Sequence, residues 1–402
     1  MGGSAWRCVL LLVTGCGESR PPAESEAESE AEAESGSEAE SESESEAESE
    51  SEPQPGCVPG AWTRETIPTA GSVWSNALAV TASGDVNVAY WQNGFKYALR
   101  EMGGDWVEES IDVVKVPLEG SPLDIALDAD GTPGVLYSGS DPGDAEEVRY
   151  AHREAENDWA IETIAALPFT DQVSLAIDGM GVVHAAYLRI SVELYYARRD
   201  GGVWTIEEVL GPCPAISGPC FALGADADGV YMAIRGFDGG LELASRWNLA
   251  DSFWGENQLD PDDGAGWYPA LDVATAGVHV SYFEHDSGAL RYAYQQMEEP
   301  WDLTIENVID GVAFADYGNG SSIAVDADGD VHIAYYDATD GGKLGYARRS
   351  ATGSFAVETI DDEDDAGWFP SIDLDATGAA HLTYVVFSET DGTALKYARR
   401  CP

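Results

Sequence analysis

Downstream of residue 60, apolar and polar residues alternate in short runs, most of them closed by Gly, Asp or Asn. Period-two alternation bounded by turn residues marks half-buried strands. The stretch from Ser322 to Ile360 shows the pattern whole: SIAVD, an Asp-Gly turn, VHIAYYD, a Gly-rich loop, KLGYARR, a second turn and FAVETI. These four strands, A to D, recur. ALDADGTPGVLY, AIDGMGVVHAAY, DLDATGAAHLTY and AVTASGDVNVAY repeat the A–B hairpin. A strand C tyrosine returns as Tyr97, Tyr150, Tyr196, Tyr292, Tyr346 and Tyr397. The aromatic opening strand D returns as Trp62, Trp106, Trp159, Trp204, Trp254, Trp301 and Phe355, about 49 residues apart on average. That length suits a four-stranded blade, and no unit holds a 3.6-residue apolar period long enough for a helical repeat.

The expected fold is all-β: a seven-bladed β-propeller of four-stranded antiparallel blades over residues 57–402, preceded by a disordered tether. The chain enters its first unit at strand D, residues 62–67, and ends after a strand C, residues 395–400. The N-terminal strand must therefore complete the last blade, which removes two exposed edges.

Two cysteines map to that seam. Cys57 precedes Trp62 by five residues and Cys401 follows Arg400, matching positions that one chain segment joins elsewhere, so a Cys57–Cys401 disulfide is expected. Cys213 and Cys220 bound a short D-to-A loop and are expected to form a local bridge. Disulfides imply an oxidising compartment.

Export is also written at the N-terminus. Arg7 precedes the apolar run 9–13, and Val13-Thr14-Gly15-Cys16 resembles a bacterial lipobox, which makes residues 1–16 a signal peptide and Cys16 the lipidation site. The run is too short to span a bilayer. A secretory signal with an incidental cysteine is the alternative. Gly17 offers no inner-membrane retention cue, so the expected location is the outer membrane or cell surface of a Gram-negative bacterium, with the periplasmic face as alternative. Residues 17–56 form the stalk, almost wholly Glu alternating with Ser or Ala between 23 and 52; such a segment buries nothing and spans roughly 35 Å as a flexible chain.

The formal charge is −53, and residues 57–402 alone carry about −40. A chain this acidic is not built to bind nucleic acid or an anionic membrane surface, so the membrane is reached only through the lipid. A solvated acidic surface and cation binding both account for the charge.

The motif Asp-x-Asp-Gly, then V-H-x-x-Y, then L-x-Y-A-R-R resembles repeats of uncharacterised exported bacterial propellers, grouped loosely with Asp-box or sialidase-like and lectin-like repeats. The resemblance covers residues 57–402 and implies architecture. The Asp-box pattern S-x-D-x-G-x-x-W is absent, and no arginine triad or tyrosine nucleophile marks a sialidase site.

Candidate chemistry is sparse. Asp-Ala-Asp-Gly at 128–131, 226–229 and 326–329 could hold calcium but reads better as tight turns with Gly at positive φ. His184, His279, His332 and His381 share one strand B position, one blade apart, and read as structural. Arg100, Arg153, Arg199, Arg349 and Arg400 read as framework ion pairs. Neither a catalytic set nor a metal set is identified, and no cofactor is expected.

The D-to-A loops carry the remaining signal: Trp74 in AGSVWSN, Trp267 and Tyr268 in DDGAGWYP, Tyr317 in the sixth repeat, and Trp368 and Phe369 in DDAGWFP. Asp262, Asp263, Asp364 and Asp365 accompany them. They are expected to form an arc at one channel mouth, suited to sugars whose apolar faces stack while hydroxyls donate to carboxylates. The alternative is that these rings plug the inner ends of the blades. The chain is thus expected to be a monomeric, surface-anchored binding module for a glycan or envelope polymer; alternatives are a protein-interaction scaffold and a polysaccharide-acting enzyme.

Overall fold

The computed structural model describes residues 58–401 apart from 59, 114–121, 141–145, 167–169, 171, 190–192, 210–217, 248–252, 275–276, 298–301, 313–319, 389 and 391. Cys16, the stalk, Cys57, Cys213 and Tyr317 therefore lie outside the described residues. No helix among the described residues is long and apolar enough to cross a membrane.

Seven four-stranded antiparallel sheets form the molecule. Blades 1 to 6 occupy residues 76–112, 123–166, 173–208, 221–260, 267–309 and 321–361. Blade 7 combines residues 365–400 with Trp62–Thr66. Trp62 lies opposite Arg400 and Thr66 opposite Lys396, so the N-terminal strand closes the ring in the expected register. Each strand A packs on the next, and the seventh on the first. Strand B is buried along nearly its whole length, as in Pro133–Gly139, whereas strand D is largely exposed, as in Val203–Glu208.

Blades are joined by a repeated four-residue clamp. Between blades 1 and 2, Glu109 takes two hydrogen bonds from Arg153, at 3.1 and 2.6 Å, and one from Trp159 Nε1 at 3.1 Å. The Arg153 guanidinium lies 5.6 Å over the Tyr97 ring, which the Trp159 edge meets at 5.2 Å. Burial pushes the Glu109 pKa up, but the Arg153 and Trp159 hydrogen bonds outweigh it and hold the carboxyl below its ordinary range. The same groups recur as Glu162, Arg199 and Trp204, as Glu207, Arg246 and Trp254, as Glu358, Arg400 and Trp62, and as Glu65, Arg100 and Trp106. Between blades 5 and 6, Glu306 pairs with Arg349 and Phe355 replaces the tryptophan. The framework reading of the arginines holds. Among the described residues, only the joint between blades 4 and 5 lacks the clamp's tyrosine, glutamate and arginine, with Leu243, Asn257 and Gln295 at the equivalent places.

The histidines are equally structural. Nδ1 of His184, His279, His332 and His381 lies 2.7 Å from the hydroxyl of Tyr196, Tyr292, Tyr346 and Tyr397 in turn. Burial lowers the pKa of His279 and His332 to about 4. In blade 2, Gly134 stands at this position because Tyr150 fills the space, its hydroxyl 2.5 Å from where a Cβ would be. Asp128 and Asp326 accept two turn N–H groups each, with Gly131 and Gly329 at positive φ. Gly229 departs from that expectation: its turn is one residue shorter and its φ is not positive.

Around the channel, strand A side chains capture edge N–H groups of the next blade. Asp124 accepts from Leu175 N at 2.8 Å, Asp272 from Val325 N at 2.7 Å and Asp373 from Val80 N at 2.6 Å. Burial raises their pKa values to about 6, 6 and 7.

Glu109→Ala should cost about 2–4 kcal/mol in urea titration, because it removes a buried carboxylate and strands the half-buried Arg153 and an indole N–H. Glu65→Ala, at a more exposed copy, should cost about 1 kcal/mol or less. A carboxyl whose pKa rises on folding contributes its stability below the unfolded value and loses it as pH climbs through the folded value. Melting temperatures of Asp373→Asn should therefore gain on those of the parent as pH rises from about 4 through about 7.

Candidate functional site

Two D-to-A loops carry one string, Gly266-Trp267-Tyr268-Pro269 before blade 5 and Gly367-Trp368-Phe369-Pro370 before blade 7. Each makes a bulge. Pairing passes from Trp267↔Phe283 to Ala270↔Ser281, and from Trp368↔Val385 to Ser371↔Thr383. At the bulge the backbone turns left-handed, with φ 50° at Tyr268 and 51° at Phe369. A bulky residue rarely adopts that conformation, a following proline further restricts it, and it costs roughly 1–3 kcal/mol. The surroundings enforce it. Asn76 Nδ2 donates to the Phe369 carbonyl oxygen at 3.0 Å. Gly367, at φ 102°, must be glycine, since a Cβ would lie 2.8 Å from the Leu344 Cα.

Among the described residues the rings fall into two groups, and Tyr317, which the expected arc places between them, lies outside those residues. Half-buried Trp368 sits between Tyr336 at 5.1 Å and Phe387 at 4.9 Å, and Phe387 meets Trp74 at 5.8 Å. Trp267 instead lies under the Arg235 guanidinium at 4.5 Å and beside His285 at 4.8 Å. Tyr268, expected as a contact, is corrected to a core residue: it is 2 % exposed and packs directly on Gly218, where no Cβ could fit. Its left-handed backbone turns the ring inward. Phe369 is half-buried against the core between blades 7 and 1.

Of the acids, Asp262, Asp263 and Asp364 are exposed and Asp365 is half-buried. Tyr336 donates to Asp365 Oδ1 at 2.7 Å, and Arg291 reaches Asp262 at 3.3 Å. Beneath these loops lies a second brace that the sequence reading missed. Asp260 accepts from Tyr282 at 2.7 Å and Arg291 at 3.0 Å; Asp361 accepts from Tyr384 at 2.7 Å and Lys396 at 2.9 Å. Asp112 does the same with Tyr137 and Arg149. The recurring Asp at the end of strand D was the available signal.

At the opposite end of the strands, blades 1 and 2 enclose a cleft of about 1010 Å³ lined by Asp85, Asp128, Asp130, His152 and Arg153. Arg153 is committed to Glu109, and Asp128 to its own turn. No group of three His, Cys, Asp or Glu among the described residues is placed to hold a metal ion. Cys220 and Cys401 are buried.

No family model matches the chain, and no curated protein matches it. Solved structures do. AofleA from Arthrobotrys oligospora is 13% identical with a TM-score of 0.50, over 77% of this chain and 92% of that one. The lectin SapL1, solved with alpha methyl fucoside, is 13% identical with a TM-score of 0.50, over 72% and 97%. A variant of the Aleuria aurantia lectin, solved with alpha-methyl-L-fucoside, is 12% identical with a TM-score of 0.50, over 76% and 100%. At such identities the likeness is one of fold.

Proposed function

We propose that this chain is a lipid-anchored binding protein whose propeller takes carbohydrate at the mouth bearing the D-to-A loops. The carrying observation is the paired Gly-Trp-aromatic-Pro bulge, held in a left-handed conformation in both blades that contain it. Strain of this kind persists where the surroundings impose it and clusters at ligand clamps. Each bulge leaves a tryptophan half-buried with carboxylates nearby, an aromatic face and acceptors of the kind a sugar ring needs. Two propellers of similar fold were solved with a fucoside, which supports the ligand class.

The lipobox-like motif and the positions of the cysteines support the rest of this reading. Acylated Cys16 anchors the protein at the outer membrane or cell surface, and the acidic stalk sets the propeller off from the bilayer. Cys401 pairs with Cys57 across the seam, and Cys220 with Cys213. The protein acts as a monomer, and no chemical step is assigned to it.

With the full-length protein on a glycan array, Trp267→Ala and Trp368→Ala should each lower binding at least tenfold at temperatures well below melting. Trp204→Ala, at an interblade clamp, should lower the melting temperature and leave binding intact. An array without any bound glycan overturns the carbohydrate reading. Cys16→Ser should move the protein from the membrane to the soluble fraction, since an acidic stalk provides no electrostatic attachment; unchanged retention rejects the anchor. Peptide mapping of the exported protein should recover Cys57 linked to Cys401.

A further inference from the structure

The two bulges are built alike, but their neighbours differ in charge. Arg235 and Tyr336 occupy equivalent places at the end of strand B, opposite Leu241 and Leu344, which in turn face Asp260 and Asp361. His285 and Phe387 are likewise equivalent, each two residues beyond the partner of its tryptophan. One mouth therefore sets an arginine and an exposed histidine against its indole, whereas the other sets a tyrosine and a phenylalanine.

Arg235 is exceptional in a second way. Every other described arginine and lysine has a carboxylate at ion-pair distance. Arg235 has none among the described residues. Its Nη1 donates to the carbonyl oxygens of Ala265 at 2.6 Å and Asp263 at 3.4 Å, and Nη2 reaches only the latter, at 3.5 Å. Its Nε is buried without a hydrogen-bond partner, as it is in seven other described arginines. A guanidinium carries five N–H donors in a planar fork, so this one retains unused capacity, and burial lowers its pKa with little compensation. In a domain with so large an excess of acids, a half-buried guanidinium without a carboxylate among the described residues is a departure from the pattern of the ring.

We propose that the mouth between blades 4 and 5 binds an acidic sugar of the uronate class, its carboxylate on Arg235 and its ring beside Trp267. The inference rests on the carbohydrate reading above and gives that mouth its ligand class; the mouth around Trp368 takes an uncharged ring. Guanidinium forks match carboxylates in geometry, and a face-stacked arginine is weakly hydrated, which eases the exchange of water for ligand. The acidic surroundings do not forbid this. Screening limits distant charges to about 8 Å at physiological salt. Among the nearer acids, Arg291 lies within 4.0 Å of Asp260, Asp262 and Glu284. Glu284 also accepts from the N–H groups of Asp286 and Ser287. Asp263 remains as the opposing charge beside Arg235.

The test uses full-length protein, a galacturonate oligomer and the same oligomer methyl-esterified, titrated by calorimetry. The acid form should bind at least tenfold more tightly than the ester. Arg235→Gln should erase that preference while retaining ester binding, and Asp263→Asn should strengthen acid binding severalfold. Arg235→Lys, which keeps the charge and loses the fork, should keep part of the preference and covers the case in which the glutamine variant fails to fold. Equal affinity for the two forms, or binding of neutral glycans with neither form bound, overturns this inference and leaves the carbohydrate reading standing. Failure to bind any glycan overturns both.

Discussion

Seven sheets in a ring share no backbone ladder from blade to blade, so the molecule depends on what one carboxylate can gather. A glutamate on strand D takes an arginine fork from the next blade, usually with that blade's indole N–H, while the same arginine covers the tyrosine of its own blade. The arrangement satisfies a charge, an indole and an aromatic face at once, in partial burial where each would be costly alone. It also explains how cations are used. The chain has 20 Lys and Arg against 73 Asp and Glu, and most of the described arginines stand at joints between or within blades. The acidic surface is what remains once the bases have been drawn inward.

Architecture was legible because repetition multiplies a weak signal. One strand of alternating residues says little, but seven copies of A to D with an aromatic at a fixed offset specify blade number, strand order and the entry of the chain through Trp62–Thr66. The arginines and histidines were readable for the same reason: recurrence at one offset implies a role in the scaffold. Their partners were harder to see. Glu109 and Arg153 are 44 residues apart, and nothing in either strand announces the pairing.

The candidate site was legible only in part, because its side-chain directions depend on backbone conformation that composition does not reveal. Gly-Trp-aromatic-Pro identifies a loop, yet the left-handed turn at Tyr268 sends that ring into the core, while Trp267 stays at the surface beneath an arginine from the preceding blade. Phe387, which links Trp368 to Trp74, lies in a plain strand and carried no motif. Tertiary neighbours decided which aromatics face outward, and period-two reading cannot supply them.

Blade 4 shows what the joints mean for the history of the ring. It carries Tyr231 on strand B instead of the strand C tyrosine, and Leu243 and Asn257 stand where its neighbours have tyrosine and glutamate; the facing blade answers with Gln295 instead of arginine. The tyrosine, glutamate and arginine are replaced together, on both sides of the joint. A blade thus carries half of two joints, and transplanting it elsewhere would set an arginine against an asparagine or strand a glutamate. The altered halves give the joint between blades 4 and 5 an address of its own, so these two blades are held as neighbours by pairwise compatibility while the other joints share one code.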